Sequence, residues 1–111
     1  SIQGRERLRI LTRLDMSKPK NHEPLKNEKF AKHIEKRDGK IDVAVSWIRE
    51  MGKGRLFYTN LGHNDMTFAN QTVLQHMLDG MQYAMGDIEA DAMPSSGLKL
   101  EPALAPDSAN N

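Results

Sequence analysis

The sequence predicts an α/β domain made of a strand, a long connection, a β-hairpin and a closing helix, in that order. Three observations carry this. Residues 8–14 alternate at the period of two that suits a strand. Residues 43–61 form two strand-like runs around Gly52-Lys53-Gly54. Residues 72–85 then repeat apolar side chains at the period of a helix.

In the first element Leu8, Ile10, Thr12 and Leu14 share one face, and Arg9, Leu11 and Arg13 share the other. One face is therefore expected to be the more buried. Residues 16–40 carry Pro19, Pro24, Gly39 and many Lys, Asn and Glu, which read as a long surface connection with a short helical turn near residues 28–35. The first hairpin arm, residues 43–49, is nearly all apolar or β-branched, a pattern that predicts burial on both faces. Met51-Gly52-Lys53-Gly54 makes the turn, because glycine reaches positive φ without a Cβ clash. The second arm, residues 55–61, is rich in Phe, Tyr and Thr, and Gly62 ends it.

For the closing helix, Asn70 or Thr72 can cap the start and Gly86 suits the stop. Val73, Leu74, Met77, Leu78, Met81, Ala84 and Met85 make a broad apolar stripe. A glycine inside a helix costs about 1 kcal/mol relative to alanine, so Gly80 points to the close approach of a neighbouring backbone. The domain is read over residues 1–90. Residues 91–111, rich in Pro, Ala, Ser and Asn without a period, are expected to be a linker or disordered tail.

With 111 residues there is room for one domain. A formal charge of +1, with 28% charged residues, argues against nucleic-acid binding by bulk charge and against a polybasic membrane anchor. No apolar stretch approaches the roughly 18–20 residues that span a bilayer, so no membrane insertion is expected. The lack of cysteine excludes disulfides, thiolate metal sites and a cysteine nucleophile. It leaves the compartment open, since any leader would lie upstream.

The apolar supply is short. A domain of this size buries only about 60–65% of its unfolded surface even when complete, and here the hairpin face and helix stripe lack partners in the remaining sequence. The chain is thus expected to be the C-terminal piece of a larger domain, and its opening on Ser1 rather than Met fits that expectation.

Trp47-Ile48-Arg49, then Gly52-Lys53-Gly54-Arg55-Leu56-Phe57-Tyr58, then Leu61-Gly62-His63 resemble the C-terminal signature of the trehalose-utilisation (ThuA-like) family. Met81-Gln82-Tyr83-Ala84-Met85-Gly86 is similar to that family's closing helix, and residues 8–15 to the strand before its variable loop. Two positions depart from the pattern: Tyr83 stands where tryptophan is common, and Ser46 is inserted where the family often reads Val-Ala-Trp. The resemblance implies a flavodoxin-like parallel sheet flanked by helices, as in class I glutamine amidotransferases. This chain would supply its late strands and final helix. It also implies a bacterial setting and carbohydrate metabolism on trehalose or a related sugar, with the reaction undefined. Amidotransfer by the usual route needs a cysteine nucleophile, which this chain lacks, so fold alone does not give the reaction.

His63 is the candidate catalytic residue. It follows a strand and a glycine, where α/β sheets open toward ligands, and its near-neutral pKa suits acid/base work. The alternative is a hydrogen bond that closes the loop. Asn64 and Asp65 are candidate binders of sugar hydroxyls, or ordinary turn residues. Gly52-Lys53-Gly54 lacks the spacing of a phosphate loop, and a strand-edge salt bridge is the expected role of Arg55. His22 and His33 fall in the polar connection, and His76 is expected to be partly exposed at the flank of the stripe. The Met77, Met81 and Met85 ladder reads as core packing. No cofactor or metal is expected. The resemblance implies a small-molecule carbohydrate as the partner. The rival reading is a non-catalytic carbohydrate-binding or assembly module, with a homo-oligomer formed through the exposed sheet edge or helix face.

Overall fold

The computed structural model describes residues 4–34, 36–37, 40–62, 65–101 and 103. The expected order of elements is present. Strand β1 is Arg9–Arg13, followed by a 3-10 stretch Pro19–Lys26 and helix α1, Glu28–Ala31. A small ladder of β2, Lys36–Arg37, and β3, Lys40–Ile41, then precedes the hairpin of β4, Ala44–Met51, and β5, Gly54–Thr59. A short helix α2, Asp65–Phe68, leads into α3, Gln71–Met85.

The main sheet has the order β1-β4-β5, and both pairings are antiparallel. The α/β class stands, whereas the parallel sheet implied by the resemblance has no counterpart among the described strands. The reason lies in the turn. Met51 pairs with Gly54, so two residues join β4 to β5, and so short a loop can join only antiparallel strands. Gly52 opens that turn at φ 60°, the positive value that the mirror-image hairpin turns demand at this position. Register slips at Leu11 and between Thr12 and Arg13 mark irregular pairing of β1 with β4.

Along β4, Ala44, Ser46 and Ile48 are buried, while Val45, Trp47 and Arg49 are half-buried. Burial on both faces was expected; the structure instead shows the alternation of a strand with one well-covered face. On the less covered face Trp47 stacks on Tyr58, with ring centroids 4.1 Å apart. Leu8, Ile10 and Ala44 form the core cluster, with Trp47 packed against it.

The start and stop of α3 follow the predicted signals. The Asn70 side chain accepts hydrogen bonds from the backbone N–H of Thr72 (2.9 Å) and Val73 (3.2 Å), and Gly86 ends the helix at φ 87°. Gly80 is buried against the Phe57 ring, not against a neighbouring backbone; a Cβ would collide with that ring. This contact, with buried Tyr83 and half-buried Val73 and His76, turns the line 73-76-80-83 toward the sheet. Leu74, Leu78, Met81 and Met85, the other half of the predicted stripe, remain exposed.

Arg55 ties the end of α3 to the chain that follows. Its guanidinium lies 5.1 Å from the Tyr83 ring centroid, donates to the Ile88 carbonyl at 3.0 Å, and grips both Glu89 carboxylate oxygens at 2.7 Å. Farther on, the Ser95 N–H donates to the Leu8 carbonyl (2.9 Å), and the Ser95 hydroxyl accepts from the Ile10 N–H (2.8 Å). The sequence reading ends the domain at residue 90, yet residues 93–96 lie bonded along the outer edge of β1, with Ser95 buried.

Candidate functional site

The loop after β5 is built by local hydrogen bonds and one glycine. Asn60 N–H donates to the Val45 carbonyl at 3.1 Å and extends the ladder one residue past β5. Leu61 N–H then donates to Thr59 Oγ1 at 3.2 Å. Gly62 sits at φ 120°, a value that side chains rarely adopt, and the Phe68 ring tip lies 2.8 Å from where its Cβ would be. Both facts require glycine here. His63 and Asn64, two of the three predicted site residues, lie outside the described residues. Asp65 is exposed and opens α2.

Other polar side chains gather at the same end of the sheet. Ser46 pairs with Thr59 on β5 and with Thr12 on β1, which sets it at the centre of that end. It is fully buried, and its Oγ shares one hydrogen bond with Thr12 Oγ1 (2.6 Å) and another with His76 Nε2 (2.7 Å). A single hydroxyl chain thereby joins β1, β4 and α3. The His76 ring meets Phe57 edge-on at 5.5 Å. Burial pushes the His76 pKa below its ordinary value of 6.5, and Asp79 offsets part of that. Nearby, Asp42 receives Arg5 at 2.6 Å and Arg13 at 2.9 Å, fixing the chain just before β4.

The Ser46–His76 distance is that of a nucleophile and its base. A fully buried Oγ, however, admits no substrate, so the chain of hydroxyls fastens elements together and orients the imidazole. The departure from the family pattern at Ser46 is thus a hydroxyl that fastens the strands to the helix. The signal for its role was a hydroxyl within an otherwise apolar central strand, since a buried polar atom needs a partner. His76 is partly exposed, as expected, and its Nε2 is held in this chain of bonds. Among the described residues no group of three or more His, Asp or Glu is placed to hold a metal ion, and no helix is long and apolar enough to cross a membrane.

A family model described as "ThuA: Trehalose utilisation" matches residues 5–84, most of the chain. The chain belongs to the ThuA family. No curated protein and no solved structure gives a significant match. The ThuA match runs from just before β1 to the last turn of α3, and so takes in the whole sheet, the Gly62 loop and the hydroxyl chain. Membership links this chain to trehalose utilisation. The strap at residues 93–96 lies beyond the matched ThuA segment, although it is bonded to β1 within it.

Proposed function

We propose that this chain serves the metabolism of trehalose or a related sugar, with its ligand site at the mouth of β5. The observation that supports the reading most is the family match, which spans every element leading into the Gly62 loop. In this reading His63 acts as the general acid or base, and Asn64 and Asp65 bind sugar hydroxyls. A site at strand ends, beside a glycine-opened loop, is where α/β sheets hold small ligands.

The same reading makes residues 1–90 the C-terminal portion of a ThuA-family domain, with the strap at 93–96 added against β1. The small core supports it: Leu8, Ile10, Ala44, Ile48 and Tyr83 are the buried hydrophobics among the described residues, while α3 leaves Leu74, Leu78, Met81 and Met85 exposed.

The test is His63→Ala in the parent polypeptide, assayed for trehalose binding by calorimetry and for trehalose conversion by mass spectrometry. Loss of a general acid or base lowers turnover by about 10²–10⁴-fold, with sugar affinity changed far less. Unchanged turnover removes His63 from the mechanism. Binding without conversion in the unmodified protein favours the binding-module reading instead.

A further inference from the structure

The strap that follows α3 meets the outer edge of β1 without extending the sheet. Ser95 N–H donates to the Leu8 carbonyl at 2.9 Å, and Ser95 Oγ accepts from the Ile10 N–H at 2.8 Å. In a parallel strand pair one residue makes the same two bonds, to the carbonyl before and the N–H after the residue it faces. Ser95 thus forms a single parallel-type bridge opposite Arg9, with its hydroxyl in place of its carbonyl. That carbonyl is turned aside to the Leu98 N–H at 3.0 Å, in the 3-10 turn Ser95–Gly97.

The neighbouring backbone groups are spent as well. Met93 N–H donates to Asp91 Oδ1 at 2.9 Å, and the Met93 carbonyl accepts from Arg9 at 3.0 Å. Pro94 has no N–H, and its carbonyl accepts from the Gly97 N–H at 3.3 Å. Every backbone polar group of residues 93–95 therefore has a partner, and the strap offers no pairing edge of its own. Little apolar burial holds it down, since Ile88 and Met93 are exposed. The ion pairs of Arg55 with Glu89 and of Arg9 with Asp91 reach largely exposed carboxylates, and such surface pairs contribute little. The two bonds of Ser95 are the seat of the strap.

We infer that residues 93–97 are a built-in sheet terminator, which keeps the β1 edge from pairing with a second copy of this chain. Bare strand edges recruit further strands, and natural sheets block them with covering segments and with proline. Here Ser95 occupies the edge, Pro94 lacks the N–H that a further strand would need, and the turn carries the chain away. A bared β1 would take a second copy, because equal edges related by a two-fold axis are self-complementary. Centred on Ile10, that pair sets each Arg9 opposite a Leu11, so no like charges meet over residues 9–11.

The test measures hydrogen exchange and mass in the 111-residue chain, with Leu74→Gln and Leu78→Gln present throughout to quiet the exposed face of α3. With Ser95 intact, the Ile10 amide is expected to exchange as slowly as the Trp47 and Ile48 amides of the central strand, at the mass of a monomer. Ser95→Pro removes both bonds of the seat. At low concentration its Ile10 amide should exchange at least about tenfold faster, with Trp47 and Ile48 unchanged. At high concentration its mass should double and the Ile10 amide should slow again. Where Trp47 and Ile48 quicken too, the variant has unfolded, and Ser95→Ala decides. That variant deletes only the hydroxyl and should show the same two changes, with doubling at a higher concentration. Fast Ile10 exchange with Ser95 intact overturns the proposal without any variant. So does a folded variant that stays monomeric at every concentration. Doubled mass with a fast Ile10 amide places the contact on another face and overturns it as well.

Discussion

Ser46 holds a position where a hydroxyl is tolerated only because it is paired twice. Its partners are a second hydroxyl, Thr12, and an imidazole, His76. With His76 neutral and its proton on Nδ1, Nε2 accepts from Ser46 and Ser46 accepts from Thr12; protonation of Nε2 makes it a donor and reverses the chain. The fold favours the neutral state, because burial lowers the His76 pKa despite the opposing pull of Asp79. The unfolded chain takes up this proton near the ordinary 6.5, while the folded chain takes it up only at lower pH. Below 6.5 the unfolded state therefore binds more protons, and stability rises with pH. The His76 contribution is complete above 6.5 and is lost as pH falls through the folded value beneath it. Urea melts from about pH 8 down to about pH 5 should show this loss, and His76→Gln should flatten it relative to the unmodified chain. An equal slope in both would sink the account. Ser46→Ala strands two polar partners and should cost about 1–3 kcal/mol at pH 8.

At the scale of elements, α3 is oriented by what it lacks. Gly80 lets the helix settle on the Phe57 ring, and no larger residue fits without moving ring or helix. Gly80→Ala gains about 1 kcal/mol of helix propensity but meets an overpacking cost of about 1–3 kcal/mol or more. The expected net result is a lower melting temperature, with Phe57→Leu in the same chain restoring part of it. A Gly80→Ala chain that melts higher than the parent sequence would mean that the ring is free to swing away. Elements like this one were legible from short-range pattern. The Gly52 turn, the Asn70 cap and the Gly86 stop each rest on backbone chemistry confined to a few neighbouring residues. The strap was not legible, because Ile10 and Ser95 stand 85 residues apart and nothing local in either announces the bond. Nor was the orientation of α3. The apolar stripe is wide enough for two faces, and the choice fell to Gly80, His76 and Tyr83, each explained only by a side chain on another element. Of the candidate site, the Gly62 loop was readable as a strand ending, whereas the Thr12–Ser46–His76 chain exists only after three distant segments meet.

The whole molecule leaves much of its apolar surface uncovered among the described residues. Exposed large hydrophobics, among them Met66, Phe68, Leu74, Leu78, Met81 and Met85, outnumber the buried ones among the described residues. Burial of apolar surface is the main favourable term in folding, and here much of it is left unused. Net stability is a small difference between large opposing terms even in complete domains, so the isolated chain should sit near the threshold of folding. Two observables follow from the same deficit. The slope of a urea melt, which scales with the surface exposed on unfolding, should fall below about 1 kcal/mol per molar, the low end for small proteins. Light scattering should show mass rising with concentration as exposed helix faces find one another. Replacing Leu74 and Leu78 with glutamine separates these effects. The substitutions remove surface stickiness without touching the buried cluster, so scattering should fall while the melt is nearly unchanged. A steep, cooperative, concentration-independent melt of a monomer would mean that the chain buries enough by itself, and would count against its being the C-terminal portion of a larger domain.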